Sequence, residues 1–270
     1  MNHLTGDTQW DEKQINTIAN DLAYLRLKVD LKLANDYPVF LDKAYPLGRC
    51  KEIRDEVFTL LQKALPKATE PGLVLIREAL AKGATLEKVW GSLRGEYFQN
   101  AMILGDWYVD VSNDTVHPNK PRVEILPLTQ SHFSSIASFE QFIKIARSYW
   151  DVEVYGNDIC PALAPFLPLI YVDRKGDSWM GEANDDMLAM TMDSQFLLSE
   201  RILATLPTVP IALRGEWDNK LSAIKANLLI HTQGQPVDFC QAYRQKQRHL
   251  DQSFRDRVVM AYLSLPKRGC

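Results

Sequence analysis

The sequence has few cysteines and no closely spaced cysteine pair. Cys50, Cys160, Cys240 and Cys270 lie far apart in the 270 residues, and none belongs to a C-x-x-C motif. Structural zinc sites and dense disulfide frameworks use closely spaced or numerous cysteines, so both are disfavoured. We therefore expect reduced thiols and a cytoplasmic location. Cys160 precedes a proline in a predicted loop, but nothing nearby would lower the pKa of its thiol, so we interpret it as a structural residue.

Long apolar runs and a leader-like N-terminus are also missing from the sequence. No stretch of about 18 apolar residues occurs, which excludes an ordinary membrane-spanning helix. The first residues, MNHLTGDTQWDEKQ, contain no basic region followed by an apolar core, so we expect no secretory signal. The sequence therefore predicts a soluble protein without membrane insertion.

Neither sign of charge dominates. The 31 Lys and Arg residues and the 34 Asp and Glu residues give a formal net charge of -3. Such a chain lacks the broad positive field that binds a phosphate backbone, so nucleic acid is disfavoured as a partner. With 46% hydrophobic and 24% charged residues, the composition is that of an ordinary globular protein. A chain of this length buries roughly three quarters of its unfolded surface, so it needs no disulfide or metal to fold.

Several common catalytic motifs do not occur in the sequence. It contains no G-x-S-x-G elbow, no G-x-x-x-x-G-K-[ST] loop, no G-x-G-x-x-G turn and no H-E-x-x-H helix. These absences weigh against the usual serine hydrolase, P-loop nucleotidase, dinucleotide-dependent oxidoreductase and zinc protease designs.

The first 95 residues have the apolar spacing of helices. A stripe at three- and four-residue intervals predicts an amphipathic helix from about Asp11: Ile15, Ile18, Leu22, Leu25 and Val29. Further helices are predicted at about 50–65, and from a cap at Thr69 to near Gly83. A short fourth helix is predicted from Thr85, with apolar residues Leu86, Val89, Trp90 and Leu93. Together they would form a helical layer over residues 10–95.

The pattern changes to strands after residue 96. The segments 97–103 and 107–112 are rich in aromatic and β-branched residues and flank Gly105, which predicts a β-hairpin. Further strands are predicted at 122–128, 152–155 and 169–173, within a sheet-rich centre over residues 96–192. Three prolines in 157–168 predict an irregular crossing at the surface.

Helical spacing returns in the last third of the sequence. Helices are predicted at about 194–206, 216–230 and 237–265, forming a helical layer over residues 194–265. No linker rich in Gly, Ser or Pro divides the chain. We therefore predict a single α+β domain over residues 1–270, in which a central, mainly antiparallel sheet has helical layers from both ends of the chain packed on it.

Candidate catalytic residues lie in the second strand of the predicted hairpin and in the loop after it. Alternation along this strand places Asp106, Tyr108 and Asp110 on one face. Asp114 and His117 follow in the next loop. Carboxylate and imidazole groups near a strand end supply lone pairs for acid–base catalysis or for a divalent metal. We predict catalytic roles for Asp110, Asp114 and His117; the alternative is a solvated strand face followed by an Asn-Asp turn.

A second predicted strand also ends in an acid. The segment LPLIYVD ends at Asp173, and ligands gather beyond the carboxyl ends of parallel strands, so Asp110 and Asp173 would together bind a divalent metal ion. The alternative is that Asp173 begins the RKGD turn. An iron site with His117, His132 and an acid is a further alternative, although the sequence has no close H-x-D or H-x-E pair there.

Two classes of function remain compatible with the sequence. The first is an enzyme that acts on a small polar or anionic molecule through the carboxylate and histidine site, with or without a divalent metal. The second is a non-catalytic interaction or regulatory protein with a protein partner or a second copy of itself. It is favoured by six tryptophans and ten tyrosines, residue types common at interfaces, beside the scarcity of catalytic motifs.

Overall fold

The chain is an α+β protein, as its sequence predicts. Helices come first, antiparallel strands fill the centre, and helices return at the C-terminal end. The computed structural model describes residues 9–40, 43–181, 183–224 and 227–265. Within these ranges no helix is both long enough and apolar enough to cross a membrane.

Two compact units divide the chain, unit 1 over Met1–Ser135 and unit 2 over Ile136–Cys270. Each contains its own antiparallel sheet, its own helices and its own apolar core. A single domain over residues 1–270 stays a prediction, because two compact units can belong to one domain or to two.

Unit 1 begins with three helices: α1 (Glu12–Asp36), α2 (Cys50–Ala64) and α3 (Pro71–Ala81). Asp11 caps α1, since its carboxylate accepts a hydrogen bond from the Gln14 amide at 2.7 Å and the Gln14 side chain accepts one from the Asp11 amide at 3.0 Å. Two short antiparallel strands lie between α1 and α2: β1 (Val39–Phe40) and β2 (Lys43–Ala44).

The N-terminus of α3 is capped from α1, and not by Thr69 as predicted. Asp21 Oδ2 accepts hydrogen bonds from the backbone amides of Gly72 at 2.6 Å and Leu73 at 3.3 Å. The two helices approach closely at this point, because a Cβ atom on Gly72 would lie 2.5 Å from the Thr17 carbonyl oxygen.

A five-stranded antiparallel sheet completes unit 1, in the order β6-β5-β4-β3-β7. Its strands are β3 (Leu86–Leu93), β4 (Tyr97–Leu104), β5 (Trp107–Asp110), β6 (Glu124–Pro127) and β7 (Phe133–Ser134). A 3-10 helix, Asn113–Thr115, follows β5, and the short helix α4 (Leu128–Ser131) follows β6. The hairpin around Gly105 is confirmed, and this glycine has the positive φ of 54° that the turn requires.

The prediction of a short fourth helix from Thr85 is wrong. Residues Leu86–Leu93 form β3, which pairs with β4 along its whole length, from Leu86 opposite Leu104 to Leu93 opposite Tyr97. A short apolar run fits either period, and pairing with a neighbouring strand overrides the local spacing. The predicted helical layer over residues 10–95 therefore ends at Ala81, with α3.

One face of this sheet packs against α1, α2 and α3. The core contains residues from all three helices and from β4 and β5, among them Leu22, Ile53, Ile76, Met102 and Val109. Alternation along the strands places Tyr108 on the other face, in a second cluster with Leu93, Tyr97 and Ala101. Asp110 lies on the same face as Tyr108.

Unit 2 contains a three-stranded antiparallel sheet in the order β10-β9-β8. Its strands are β8 (Val152–Gly156), β9 (Leu169–Asp173) and β10 (Ser178–Met180). Before them comes α5 (Phe139–Tyr149), which begins where predicted, with Ser138 Oγ accepting a hydrogen bond from the Gln141 amide at 3.2 Å.

The C-terminal helices of unit 2 are more numerous than predicted. They are α6 (Asp185–Asp193), α7 (Leu197–Thr205), α8 (Ile211–Ser222), α9 (Leu228–His231), α10 (Pro236–Gln245) and α11 (Gln252–Leu263). The single helices predicted at 216–230 and 237–265 are each two helices. Between α10 and α11 the helical backbone is interrupted at Gln247, whose φ is 51°. Helix α11 begins with a cap, in which the Asp251 side chain accepts a hydrogen bond from the Phe254 amide at 2.9 Å.

The segment 157–168 is irregular, as predicted, but it does not run over the surface. Residues Ile159 to Leu167 are buried in the core of unit 2. Side chains supply hydrogen-bond partners for this irregular backbone. The Asn157 side chain accepts a hydrogen bond from the Cys160 amide at 3.0 Å, and the Tyr243 hydroxyl donates one to the Ala162 carbonyl oxygen at 3.0 Å. Burial raises the pKa of the Cys160 thiol to about 12, which agrees with its interpretation as a structural residue.

Candidate functional site

A buried arginine connects α1 to the loop after β5. Arg26 is fully buried, and its Nη1 donates to the Val111 carbonyl oxygen at 2.6 Å and to Asp114 Oδ1 at 3.0 Å. Burial lowers the pKa of Arg26, but the carboxylates of Asp114 and Asp30 raise it by more, so the net shift is upward. Asp114 therefore serves as a counter-charge for a buried guanidinium, which would be costly without one.

Asp30, one helical turn after Arg26, is the second counter-charge. Its Oδ1 accepts a hydrogen bond from Arg26 Nε at 2.6 Å and another from the Tyr45 hydroxyl at 2.5 Å. Burial and the hydrogen bond to Asp30 raise the pKa of Tyr45 above its ordinary value, so this hydroxyl stays a donor. Arg122 Nη1 lies farther away, 3.4 Å from Asp30 Oδ2, and the Arg122 side chain is 49% exposed.

These side chains line a pocket of about 420 Å³ in unit 1, which we call the ion-pair pocket. Its charged lining consists of two arginines and two aspartates: Arg26, Arg122, Asp30 and Asp114. Its apolar lining comes from Leu31, Ala34 and Pro46. The volume lies in the range of small-molecule sites, and the formal charges of the lining cancel.

Asp110 occupies a closed environment on the other face of the sheet. It is fully buried and accepts hydrogen bonds from Gln99 Nε2 at 2.6 Å, the Ser112 amide at 2.7 Å and the Tyr108 hydroxyl at 3.3 Å. Burial raises the pKa of Asp110 to about 6, although these donors act in the opposite direction. Gln99 Oε1 is buried without a hydrogen-bond partner. Asp110 does not line the ion-pair pocket.

His117 lies at the surface, beyond the 3-10 helix that follows β5. Its Nδ1 accepts a hydrogen bond from the Asn119 amide at 3.4 Å, and it does not line the ion-pair pocket. Of the three residues predicted to be catalytic, Asp114 lines the pocket, Asp110 is enclosed and His117 is exposed. The structure therefore does not bring the three together in this pocket, and their catalytic roles stay predictions.

Asp173 lies in unit 2, whereas Asp110 lies in unit 1. Asp173 Oδ1 accepts hydrogen bonds from the backbone amides of Lys175 at 2.9 Å and Asp177 at 3.1 Å, as expected of the residue that begins the RKGD turn. In the part of the chain that the structure describes, no group of three or more His, Cys, Asp or Glu residues is placed to hold a metal ion. The divalent metal site at Asp110 and Asp173 stays a prediction.

Of the ionisable residues that line the ion-pair pocket, sequence reasoning found Asp114 and missed four: Arg26, Asp30, Tyr45 and Arg122. One local signal was available. Arg26 falls within the apolar stripe of α1, between Leu22 and Val29, and a charged residue on a core-facing stripe indicates a buried counter-charge. The sequence does not show which distant acid supplies it.

A row of exposed apolar side chains lies on α1 beside this pocket. Tyr24, Leu27 and Leu31 are 55%, 43% and 70% exposed, and their spacing of three and four residues places them on one face of the helix. We call these three residues the α1 stripe. Lys28 Nζ lies 4.4 Å from the centre of the Tyr24 ring, a cation–π contact at the edge of the stripe. Leu31 belongs to both the stripe and the pocket lining.

Comparisons with known proteins identified no relative of this chain. No family model matches the sequence, and neither a curated protein nor a solved structure matches it.

Proposed function

We propose that the protein binds a ligand with an anionic group in the ion-pair pocket, and that Arg122 contacts this group. The observation that carries the proposal is that the two carboxylate oxygens of Asp30 are hydrogen-bonded to different extents. Its Oδ1 already accepts two short hydrogen bonds, from Arg26 and Tyr45, whereas Arg122 is half-exposed and 3.4 Å from Oδ2. An exposed ion pair contributes about 0–1 kcal/mol, so a ligand can replace Asp30 at Arg122 with little loss of stability.

The rest of the lining fits a small polar ligand. An arginine donates two parallel hydrogen bonds to a carboxylate or phosphate, which also fixes the orientation of the ligand. Leu31, Ala34 and Pro46 offer apolar contacts for the remainder of the molecule. In an enzymatic form of the proposal Asp114 would act on the bound molecule, and it would first have to release Arg26. Binding does not need that step, so we propose binding as the function.

The test is a chemical-shift titration of the isotope-labelled protein with acetate and, separately, with inorganic phosphate. We expect shifts at the pocket residues, and at least about tenfold weaker binding for Arg122→Gln, because a charge-assisted hydrogen-bond pair is lost. Arg94→Gln is the matched control, since Arg94 is 41% exposed and lies 4.0 Å from Glu124 in unit 1, outside the pocket lining. Equal binding by both variants and the native chain would contradict the proposal.

We propose the cytoplasm as the compartment. Three cysteines among the described residues are unpaired, Cys50, Cys160 and Cys240, and free thiols fit a reducing environment.

Recognition of a protein partner is a second candidate function. The α1 stripe supports it, because three large apolar side chains exposed together on one helix face are more typical of an interface than of a solvated surface.

A further inference from the structure

The ion-pair pocket and the α1 stripe adjoin on α1, where Leu31 belongs to both. Residues 27, 30, 31 and 34 share a helix face, and three of them, Asp30, Leu31 and Ala34, line the pocket. Leu27 lies one turn toward the N-terminus, about 6 Å along the helix axis from Leu31. A molecule held at Arg122 therefore has an exposed apolar surface within reach.

The exposed charges along the stripe are positive, whereas Asp30, which lies between Leu27 and Leu31, is mostly buried and paired with Arg26. The exposed residues of α1 from position 24 to 32 are the three apolar residues of the stripe and two lysines, Lys28 and Lys32. Lys32 is partly neutralised, since its Nζ lies 3.0 Å from Glu56 Oε1. Together with Arg122 these lysines complement an occupant that is both apolar and acidic.

We propose that the anion bound at Arg122 is a carboxylate side chain of a partner protein, and that a neighbouring apolar side chain of the same segment covers Leu27 and Leu31. This inference rests on the proposed anion site and adds the class of its ligand. A protein segment fits better than a free small molecule, because the stripe is an exposed helix ridge, whereas small molecules bind where most of their surface is enclosed.

The partner segment must present its carboxylate and its apolar side chain on the same side. In an extended chain, side chains two residues apart point to the same side. The first probe is therefore the blocked peptide acetyl-Ala-Glu-Ala-Leu-Ala-amide, with acetyl-Ala-Leu-Ala-Glu-Ala-amide as the reverse order. Two control peptides replace the leucine by alanine or the glutamate by glutamine.

Chemical-shift titration measures the affinity of each peptide. We expect one of the two orders to bind about tenfold more tightly than its alanine control, equal to about 1.4 kcal/mol for partial burial of one leucine. The glutamine control should bind as weakly as the alanine control. Leu27→Gln should reduce the preference for leucine, because Leu27 is part of the apolar surface that the leucine covers. Leu250→Gln, at an exposed leucine of unit 2, is the matched control.

Failure of this inference can be distinguished from failure of the anion site. If the glutamate peptides bind through Arg122 without any preference for leucine, the partner segment is wrong and the anion site stands. Tight binding of the glutamine peptide would overturn the carboxylate anchor. If neither the peptides nor acetate nor phosphate bind, both proposals fail. Concentration-dependent dimerisation that Leu27→Gln abolishes would replace the partner segment by a second copy of the chain.

Discussion

Two buried aspartates, four positions apart, are stabilised in opposite ways. Asp114 faces the guanidinium of Arg26, while Asp110 is surrounded by uncharged donors from Gln99, Tyr108 and Ser112. For Asp110 burial dominates and raises its pKa to about 6. The comparison teaches that burial of an acid next to a loop does not by itself indicate a catalytic group, because both residues have structural partners that account for their positions.

The largest expected effect comes from removal of Arg26, the cation that contacts both Asp30 and Asp114. Arg26→Met should destabilise the fold by about 3–5 kcal/mol, because Asp114 would remain as a buried charge without its partner and Asp30 would lose one of its donors. The measurement is urea unfolding at neutral pH. Arg122→Met, which removes an exposed cation from the same pocket, should change the free energy of unfolding by less than about 1 kcal/mol. Similar losses for the two variants would show that the Arg26 ion pairs are not the stabilising element.

A pH titration of stability sharpens the comparison at Asp110. The folded-state pKa of about 6 lies above the unfolded value, so the folded chain binds more protons than the unfolded chain between about pH 4 and 6. The free energy of unfolding therefore falls as the pH rises through this window, by up to about 3 kcal/mol, and this contribution is constant above it.

Asp110→Asn should remove this contribution, because the amide does not titrate. The experiment measures urea unfolding of both proteins from pH 4 to pH 7 and compares the difference between them. A difference that does not depend on pH would mean that the folded environment does not favour the protonated form of Asp110.

The smallest effects distinguish the two tyrosine donors. Tyr45→Phe removes a hydrogen bond of 2.5 Å to Asp30 and should cost about 1.5–2 kcal/mol, whereas Tyr108→Phe removes one of 3.3 Å to Asp110 and should cost about 0.5–1 kcal/mol. Both changes retain the aromatic ring, so differential urea unfolding reports mainly on the hydroxyl. The reverse order of costs would contradict the interpretation of the Tyr45–Asp30 hydrogen bond as the stronger of the two.

Local signals were sufficient for part of the fold. The hairpin around Gly105 could be predicted because its turn residue and its flanking aromatic and β-branched residues act over a few positions. The cap of α5 at Ser138 is equally local. β3 could not be predicted, since the spacing of Val89, Trp90 and Leu93 fits a helix turn as well as a strand, and its partner β4 decides the outcome.

The candidate site was less accessible to sequence reasoning. Alternation correctly placed Tyr108 and Asp110 on one face, but it does not tell whether that face is open or covered by other side chains. The contacts of Arg26 with Val111 and Asp114 span 85 and 88 residues, and no pattern in either segment identifies the other. Its position in an apolar stripe indicated that a buried charge exists, and only tertiary structure could name the partner.

The double attachment of α1 has a consequence for recognition. Asp21 holds the first turn of α3, and Arg26 holds the loop after β5, so two ties on either side of position 24 oppose rotation of the helix about its axis. Leu27 and Leu31 are thereby displayed in a fixed orientation in the free protein. A preformed recognition helix loses little conformational entropy on complex formation, which favours affinity from a small contact area.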